Sequence, residues 1–182
     1  MYGLVNTAFL DFLKANHGSH DWDTIMPELP GYPVGGFQIF DPYDDSILFE
    51  MLSQAVAVTR LEPPEFLLGF GEHWILETSP TYFGALLTLA GRDIHEFMSN
   101  MNTLHERASG LFPGYSPPSF RVAGHLDQGN LEIFYGSERE GFELFVVGLL
   151  QGVLSRFKLQ ASIENRGTLE NGEVVFAITA SS

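Results

Sequence analysis

Between residues 92 and 109 the apolar side chains fall at Ile94, Phe97, Met98, Met101 and Leu104 and continue at Ala108, the three-and-four spacing of one helical face. His105 follows Met101 by four residues and Met98 by seven, so it shares that inward face. A neutral imidazole in an apolar wall can give a metal, the iron of a haem included, a nitrogen lone pair. A packed core histidine explains the same position. The other five histidines are weaker candidates. His17 and His20 lie in a polar, loop-like stretch, His95 is off the stripe, and His125 falls in a turn before Asp127. His73, beside Trp74, is a candidate distal group.

A second set of chemical groups sits in residues 131–139, which alternate as a strand does. Side chains at 131, 133, 135, 137 and 139 share one face, and they read Leu131, Ile133, Tyr135, Ser137, Arg139. Two apolar residues give way to three hydrogen-bond donors, spaced by about 7 Å per two residues. Phenol, hydroxyl and the bidentate guanidinium suit an anion carrying more than one carboxylate. A solvated strand end explains the pattern equally well when it stands alone. Haem, with two propionates, would use both this strand and His105.

The elements that must position these groups change character along the chain. Residues 3–16 carry Leu4, Val5, Ala8, Phe9, Phe12 and Leu13 at helical spacing. A Pro/Gly-rich loop runs from Pro27 to Gly36. Asp41–Ser46 opens a helix continuing through Ile47–Val58, and Pro63-Pro64 opens another to about Trp74. Residues 81–89 and 92–109 predict two more. Pro113, Gly114, Pro117 and Pro118 then break the chain. Strands are predicted at 120–123, 131–139, 159–164 and 174–179, the last two joined by a turn at Asn171-Gly172, with a long helix over 142–157. The expected fold class is α+β: a mainly helical N-terminal part, then a small antiparallel sheet with helices.

Composition narrows the function. The 182 residues suffice for one domain. Sixteen Phe residues make an interior suited to a flat apolar ligand, although a Phe-packed core accounts for them too. A net charge of -14 repels phosphate backbones and anionic lipid, so neither nucleic acid nor a membrane is an expected partner. With no Cys, disulfides, thiolate ligation and covalent CxxCH haem attachment are excluded; any haem is b-type. Met1-Tyr2-Gly3-Leu4 lacks a basic leader and no 18-residue apolar run occurs, so the expected location is cytoplasmic.

Several segments together are similar to the H-NOX family, the haem-nitric-oxide/oxygen-binding sensors that also form the amino-terminal part of the soluble guanylate cyclase beta subunit. They are Met1-Tyr2-Gly3-Leu4-Val5-Asn6, Tyr43-Asp44-Asp45-Ser46, Asn102-Thr103-Leu104-His105, Pro117-Pro118-Ser119-Phe120-Arg121 and Tyr135-Gly136-Ser137-Glu138-Arg139-Glu140-Gly141. The resemblance covers essentially the whole chain and implies a single domain over 1–182, with a helical lobe of about residues 1–65, a haem-bearing lobe of about 66–182, and haem between them. It implies that His105 is the proximal iron ligand, with Met101 and Leu104 beside it against the porphyrin. Tyr135, Ser137 and Arg139 become the propionate clamp, and Pro118 and Val5 residues that press on and bend the porphyrin. Asp44 or Asp45 would brace Arg139. Thr103 is a mild departure, since the family often has Asp or another polar residue just before its Leu-His pair.

The resemblance also bears on which gas is bound. Oxygen-binding members carry a distal Tyr on the long C-terminal helix, where this chain has Phe145, and residues 142–157 contain no Tyr or His. Retention of oxygen leans on a donor to its developing charge; NO needs none. Phe145, Val146, Leu149 and Trp74 are the expected distal pocket, with the Trp74 indole N–H as a remaining donor. Gly148 and Gly152 form a GxxxG pair that allows close approach of haem or of a neighbouring helix. The expected function is therefore NO and CO sensing at ferrous haem, signalled by release of His105 to a histidine kinase, a diguanylate cyclase or a similar enzyme, with no catalysis by the domain itself. The alternatives are an oxygen-binding haem protein, a haem enzyme such as a peroxidase, and a haem-free interaction module.

Overall fold

The computed structural model describes every residue except Pro113, Tyr115, Glu140 and Ser182. The expected break at Pro113 and the motif position Glu140 therefore lie outside the described residues. The chain forms two compact units, Met1–Phe70 and Gly71–Ser182.

The first unit contains α1 (Gly3–Asn16), a short α2 (Trp22–Ile25) running into a 3-10 turn (Met26–Glu28), α3 (Ser46–Thr59) and most of α4 (Pro63–His73). No side chain caps the start of α1. The backbone instead supplies acceptors: Gly3 N–H donates to Asp41 O (2.9 Å) and Leu4 N–H to Ile39 O (3.1 Å), which satisfies amides a helix start leaves orphaned. Leu4, Ala8, Phe9, Phe12 and Leu13 are buried as the spacing predicts, together with Trp22, Met26, Met51, Phe66 and Phe70. His17 departs from expectation. It caps the end of α1, with its ring 5.6 Å from Phe12 and 5.1 Å from Phe66, so it belongs to an aromatic cluster and not to a polar loop.

The second unit starts with a π-helical stretch, Trp74–Thr78, followed by α5 (Ser79–Ala90). Ser79 N–H closes a π-type bond onto Trp74 O. Pro80, at the start of α5, has no amide hydrogen with which to hold a regular ladder. The single helix expected over 92–109 is two: α6 (Ile94–Ser99) and α7 (Met101–Ser109). Asn100 separates them with φ -89 and ψ 1, and its side-chain amide donates to Ala90 O at 2.9 Å. That bond reaches back to the end of α5 and anchors the break, a feature that apolar spacing alone does not reveal.

A four-stranded antiparallel sheet follows, in the order β1-β2-β4-β3, with β1 Ser119–His125, β2 Asn130–Gly136, β3 Ala161–Thr168 and β4 Val174–Ala180. The β3–β4 turn falls at Asn171-Gly172 as expected, with Gly172 at φ 85. Leu131, Ile133, Phe176 and Ile178 are fully buried and pack with Phe97, Met98 and Met101 from α6 and α7, and with Val146, Leu150 and Val153 of α8 (Glu143–Arg156). Gly71 and Gly152 allow the chain just before and within the π-helical stretch to lie against α8. A Cβ on Gly71 would stand 2.2 Å from Phe145 O, and one on Gly152 2.7 Å from the Ile75 Cβ. Of the two uses open to the GxxxG pair, the structure shows helix packing.

Candidate functional site

His105 lies on α7 beside buried Met101 and partly buried Leu104. Its Nδ1 is buried and has no hydrogen-bond partner. Burial pushes the imidazole pKa down from 6.5 to about 4, and the Pro118 backbone carbonyl offsets this only in part. The ring is therefore neutral at physiological pH, the form that can give a metal its lone pair. A buried Nδ1 without a partner costs free energy even though the ring also meets the Pro118 backbone, and a metal is one way to satisfy such a nitrogen.

The neighbours of His105 come from β1. Pro118, half-buried, leads directly into the strand, and the Phe120 ring lies 5.7 Å from the imidazole. On its other side Phe120 is 5.4 Å from the Tyr135 ring of β2. Asn102, one turn before His105, grips the Phe120 backbone twice: its amide donates to Phe120 O and its carbonyl accepts from Phe120 N–H, both at 2.8 Å. α7 is thus fixed to the sheet edge through the residue that spaces His105 from Tyr135. Neither role was found from sequence. In the sequence, Asn102 stands out only within the Asn-Thr-Leu-His string and Phe120 only within the Pro-Pro-Ser-Phe-Arg string.

The donor set is placed differently from the sequence expectation. β2 ends at Gly136, where its pairing with Ser119 stops, so Ser137 and Arg139 follow the strand and do not continue its face. They still gather near Tyr135. Ser137 Oγ accepts from the Arg139 backbone N–H at 3.0 Å. Burial raises the Tyr135 pKa, while the Ser137 side chain and the Arg139 charge lower it. A turn therefore achieves the grouping that alternation was expected to provide.

Trp74, at the start of the π-helical stretch, meets Phe145 edge-on with ring centroids 6.4 Å apart. Leu149 is one turn beyond Phe145 on the same half-buried side of α8. Val146 instead points into the core, 1% exposed. His73 ends α4, half-buried. In the first unit, Val5 is half-buried on α1. Asp44 Oδ1 accepts from Ser46 N–H at 2.8 Å, and Asp45 forms an ion pair with the N-terminal ammonium.

These features suit haem. A neutral imidazole with an unsatisfied nitrogen stands in an apolar wall, and three donors suited to carboxylates are grouped in the same unit. The haem-NO-binding family matches residues 2–165, and the chain belongs to that family. Its domains are haem-based gas sensors. Among curated proteins, the soluble guanylate cyclase gcy-31 of Caenorhabditis elegans is 24% identical over 165 residues, 90% of this chain and 23% of the relative. Its gcy-33 is 22% identical over 179 residues, 98% of this chain and 19% of the relative. The chain therefore spans about a fifth of the length of these relatives. The unliganded Fe(II) H-NOX protein from K. algicida superposes with a TM-score of 0.80 at 25% identity, covering 100% of this chain and 97% of that one. An H-NOX protein from S. oneidensis in the Fe(II)NO ligation state gives a TM-score of 0.83 at 16% identity, covering 100% of both chains, a likeness of fold. No helix among the described residues is long and apolar enough to cross a membrane.

Proposed function

We propose that His105 would hold the iron of a non-covalent haem b and that the domain senses nitric oxide, with carbon monoxide as a second ligand and oxygen disfavoured. The observation that carries this reading is the half-buried, neutral His105 imidazole whose Nδ1 is buried without a hydrogen-bond partner. Haem, when bound, supplies the ferrous iron at which the gas is held. Tyr135, Ser137 and Arg139 are its propionate partners, while Met101, Leu104 and Pro118 line its proximal side. Val5 is proposed as a porphyrin contact on the family resemblance alone, as is the brace from Asp44 or Asp45 to Arg139.

Phe145 provides bulk and no hydrogen bond where oxygen-binding members carry Tyr, and α8 has no Tyr or His. An oxygen complex would lack the donor its charge requires. NO has no such need. If His105 holds the iron, its release on NO binding would let α7 shift, and a partner would read the change as a shift between two packings. The proposed partners are a histidine kinase, a diguanylate cyclase or a similar signalling enzyme in the cytoplasm; cyclase activity is named for the relatives. A second reading, an oxygen-binding domain, draws on Trp74, whose ring meets Phe145 edge-on and whose indole is a hydrogen-bond donor by type.

Absorption spectra of the reduced protein test both readings. The expected result is a five-coordinate ferrous species that binds NO and CO and forms no stable oxygen complex. A stable oxygen complex would favour the second reading, and a colourless protein after expression with adequate haem would overturn both.

A further inference from the structure

One pair of titratable side chains in the second unit takes no part in the haem site. His95, on the first turn of α6, and His125, the last residue of β1, are stacked with ring centroids 3.8 Å apart and planes 13° from parallel. Both are carried on well-fixed backbone. Asp93 Oδ1 accepts from Glu96 N–H at 2.8 Å and Glu96 Oε2 from Arg92 N–H at 2.9 Å, a reciprocal cap that anchors the start of α6. His125 pairs with Asn130 at the end of the β1–β2 ladder, and the 3-10 turn Leu126–Gln128 follows it.

Paired imidazoles can share a cation or respond to charge. A shared metal requires in-plane lone pairs that converge on one point about 2 Å from each nitrogen. Nearly parallel planes aim those lone pairs side by side. Among the described residues no group of three or more His, Cys, Asp or Glu is placed to hold a metal. A stack, by contrast, is attractive while at most one ring is charged, and two protonated rings bring like charges into contact. Histidine changes charge between about pH 5 and 8.

We propose that the His95–His125 stack is a pH-sensitive latch that closes the start of α6 onto the end of β1 and releases when both imidazoles are protonated. α6 passes through Asn100 straight into α7, which carries His105, and α7 has its own tie to β1 through Asn102 and Phe120. Opening the latch removes a surface tie while the buried packing of Ile94, Phe97 and Met98 against the sheet remains, and it loosens the start of α6 that leads to His105. The charged groups on the surrounding elements are Arg92, Asp93 and Glu96 at α6, Arg121 on β1, Asp127 after it, Glu132 on β2, Glu106 and Arg107 on α7, and Arg156 on α8, whose guanidinium lies 5.9 Å over the Phe97 ring of α6; α5 carries none. Several are already engaged: Asp93 and Glu96 in the cap, Arg121 with Glu173 at 2.9 Å, and Glu132 with Arg166 at 3.5 Å. Asp127 is the nearest counter-charge in sequence to His125.

The test follows amide exchange and thermal unfolding of the full haem-loaded chain from about pH 7.5 to about pH 5. After correction for intrinsic exchange, the amides of Phe97 and Asn100, bonded to Asp93 O and Glu96 O, should lose protection several-fold in acid while the β4 amides keep theirs. His95→Phe and His125→Phe each retain a flat ring and remove one charge. Each should abolish most of the acid response, and the double variant should abolish no more than either alone. Equal acid responses in wild type and both single variants, or single effects that add in the double, would overturn the latch. If the variants fail to fold, wild-type exchange still decides, since uniform loss of protection across α6 and β4 is the contrary result. Stabilisation by zinc that either substitution abolishes would assign the pair to a cation and likewise overturn it.

Discussion

Burial that lowers a histidine pKa normally comes with a hydrogen bond that uses its nitrogens. His105 has the lowered pKa and a contact to the Pro118 backbone, but its buried Nδ1 has no partner. His105→Gly should therefore yield protein that loses haem, or holds it only when free imidazole is supplied, as read from the visible absorption spectrum. Retention of full haem without imidazole would remove His105 from the axial position. Phe145→Tyr tests the distal argument: a phenol added there should give the ferrous protein a stable oxygen complex absent from wild type. His17 supplies a prediction about pH. Burial chiefly, then His20, lowers its pKa, with Glu65 acting in the opposite sense. Its folded pKa lies below the unfolded value, so the unfolded chain takes up the proton first. Stability is complete above about pH 6.5 and falls as pH drops from there towards the folded value. His17→Phe should flatten that part of the denaturation midpoint plotted against pH; an unchanged curve would exclude His17 as its source.

At the scale of elements, the second unit depends on close approach to α8 and on one side-chain clamp. Gly71→Ala would push a methyl group into Phe145 O and Leu149 N, which stand 2.2 and 2.6 Å from the added Cβ. Backbone atoms cannot swing aside, so chemical denaturation should show a loss of about 1–3 kcal/mol or more. Asn102→Ala removes both bonds to Phe120 and should cost about 1–3 kcal/mol, with a changed haem spectrum because the spacer between His105 and Tyr135 is freed. A stability loss without any spectral change would mean that the clamp is structural only.

Across the whole molecule, haem binding and folding are linked. A ligand that binds only the folded state at a free concentration a hundredfold above its Kd stabilises by about 2.7 kcal/mol. The haem-free protein should accordingly melt at a lower temperature than the loaded form, by an amount that grows with added haem. The apolar surface around His105 that haem would cover adds to this difference. Calorimetry of the two forms at matched protein concentration measures it, and identical melting temperatures would refute the coupling.

Residue types and their spacing suffice for the inward face that carries His105, the buried run Leu131-Ile133-Tyr135, the turn at Asn171-Gly172, the order of most elements and the family. Each rests on periodicity or on residue types that stay readable over a few neighbours. Only the tertiary structure decided where the 92–109 helix breaks, where β2 stops, and how Ser137 and Arg139 nevertheless come to Tyr135 through a turn. It also decided that Val146 packs inward while Phe145 meets Trp74, that Phe120 separates His105 from Tyr135 under the grip of Asn102, and that His95 stacks on His125. The physical reason is the same in each case. These contacts join residues far apart in the chain, and nothing in local spacing records which distant backbone or ring will lie within a few ångströms. His105 shows both sides: its inward direction follows from a helical repeat, and its unsatisfied nitrogen follows from what the rest of the unit fails to offer it.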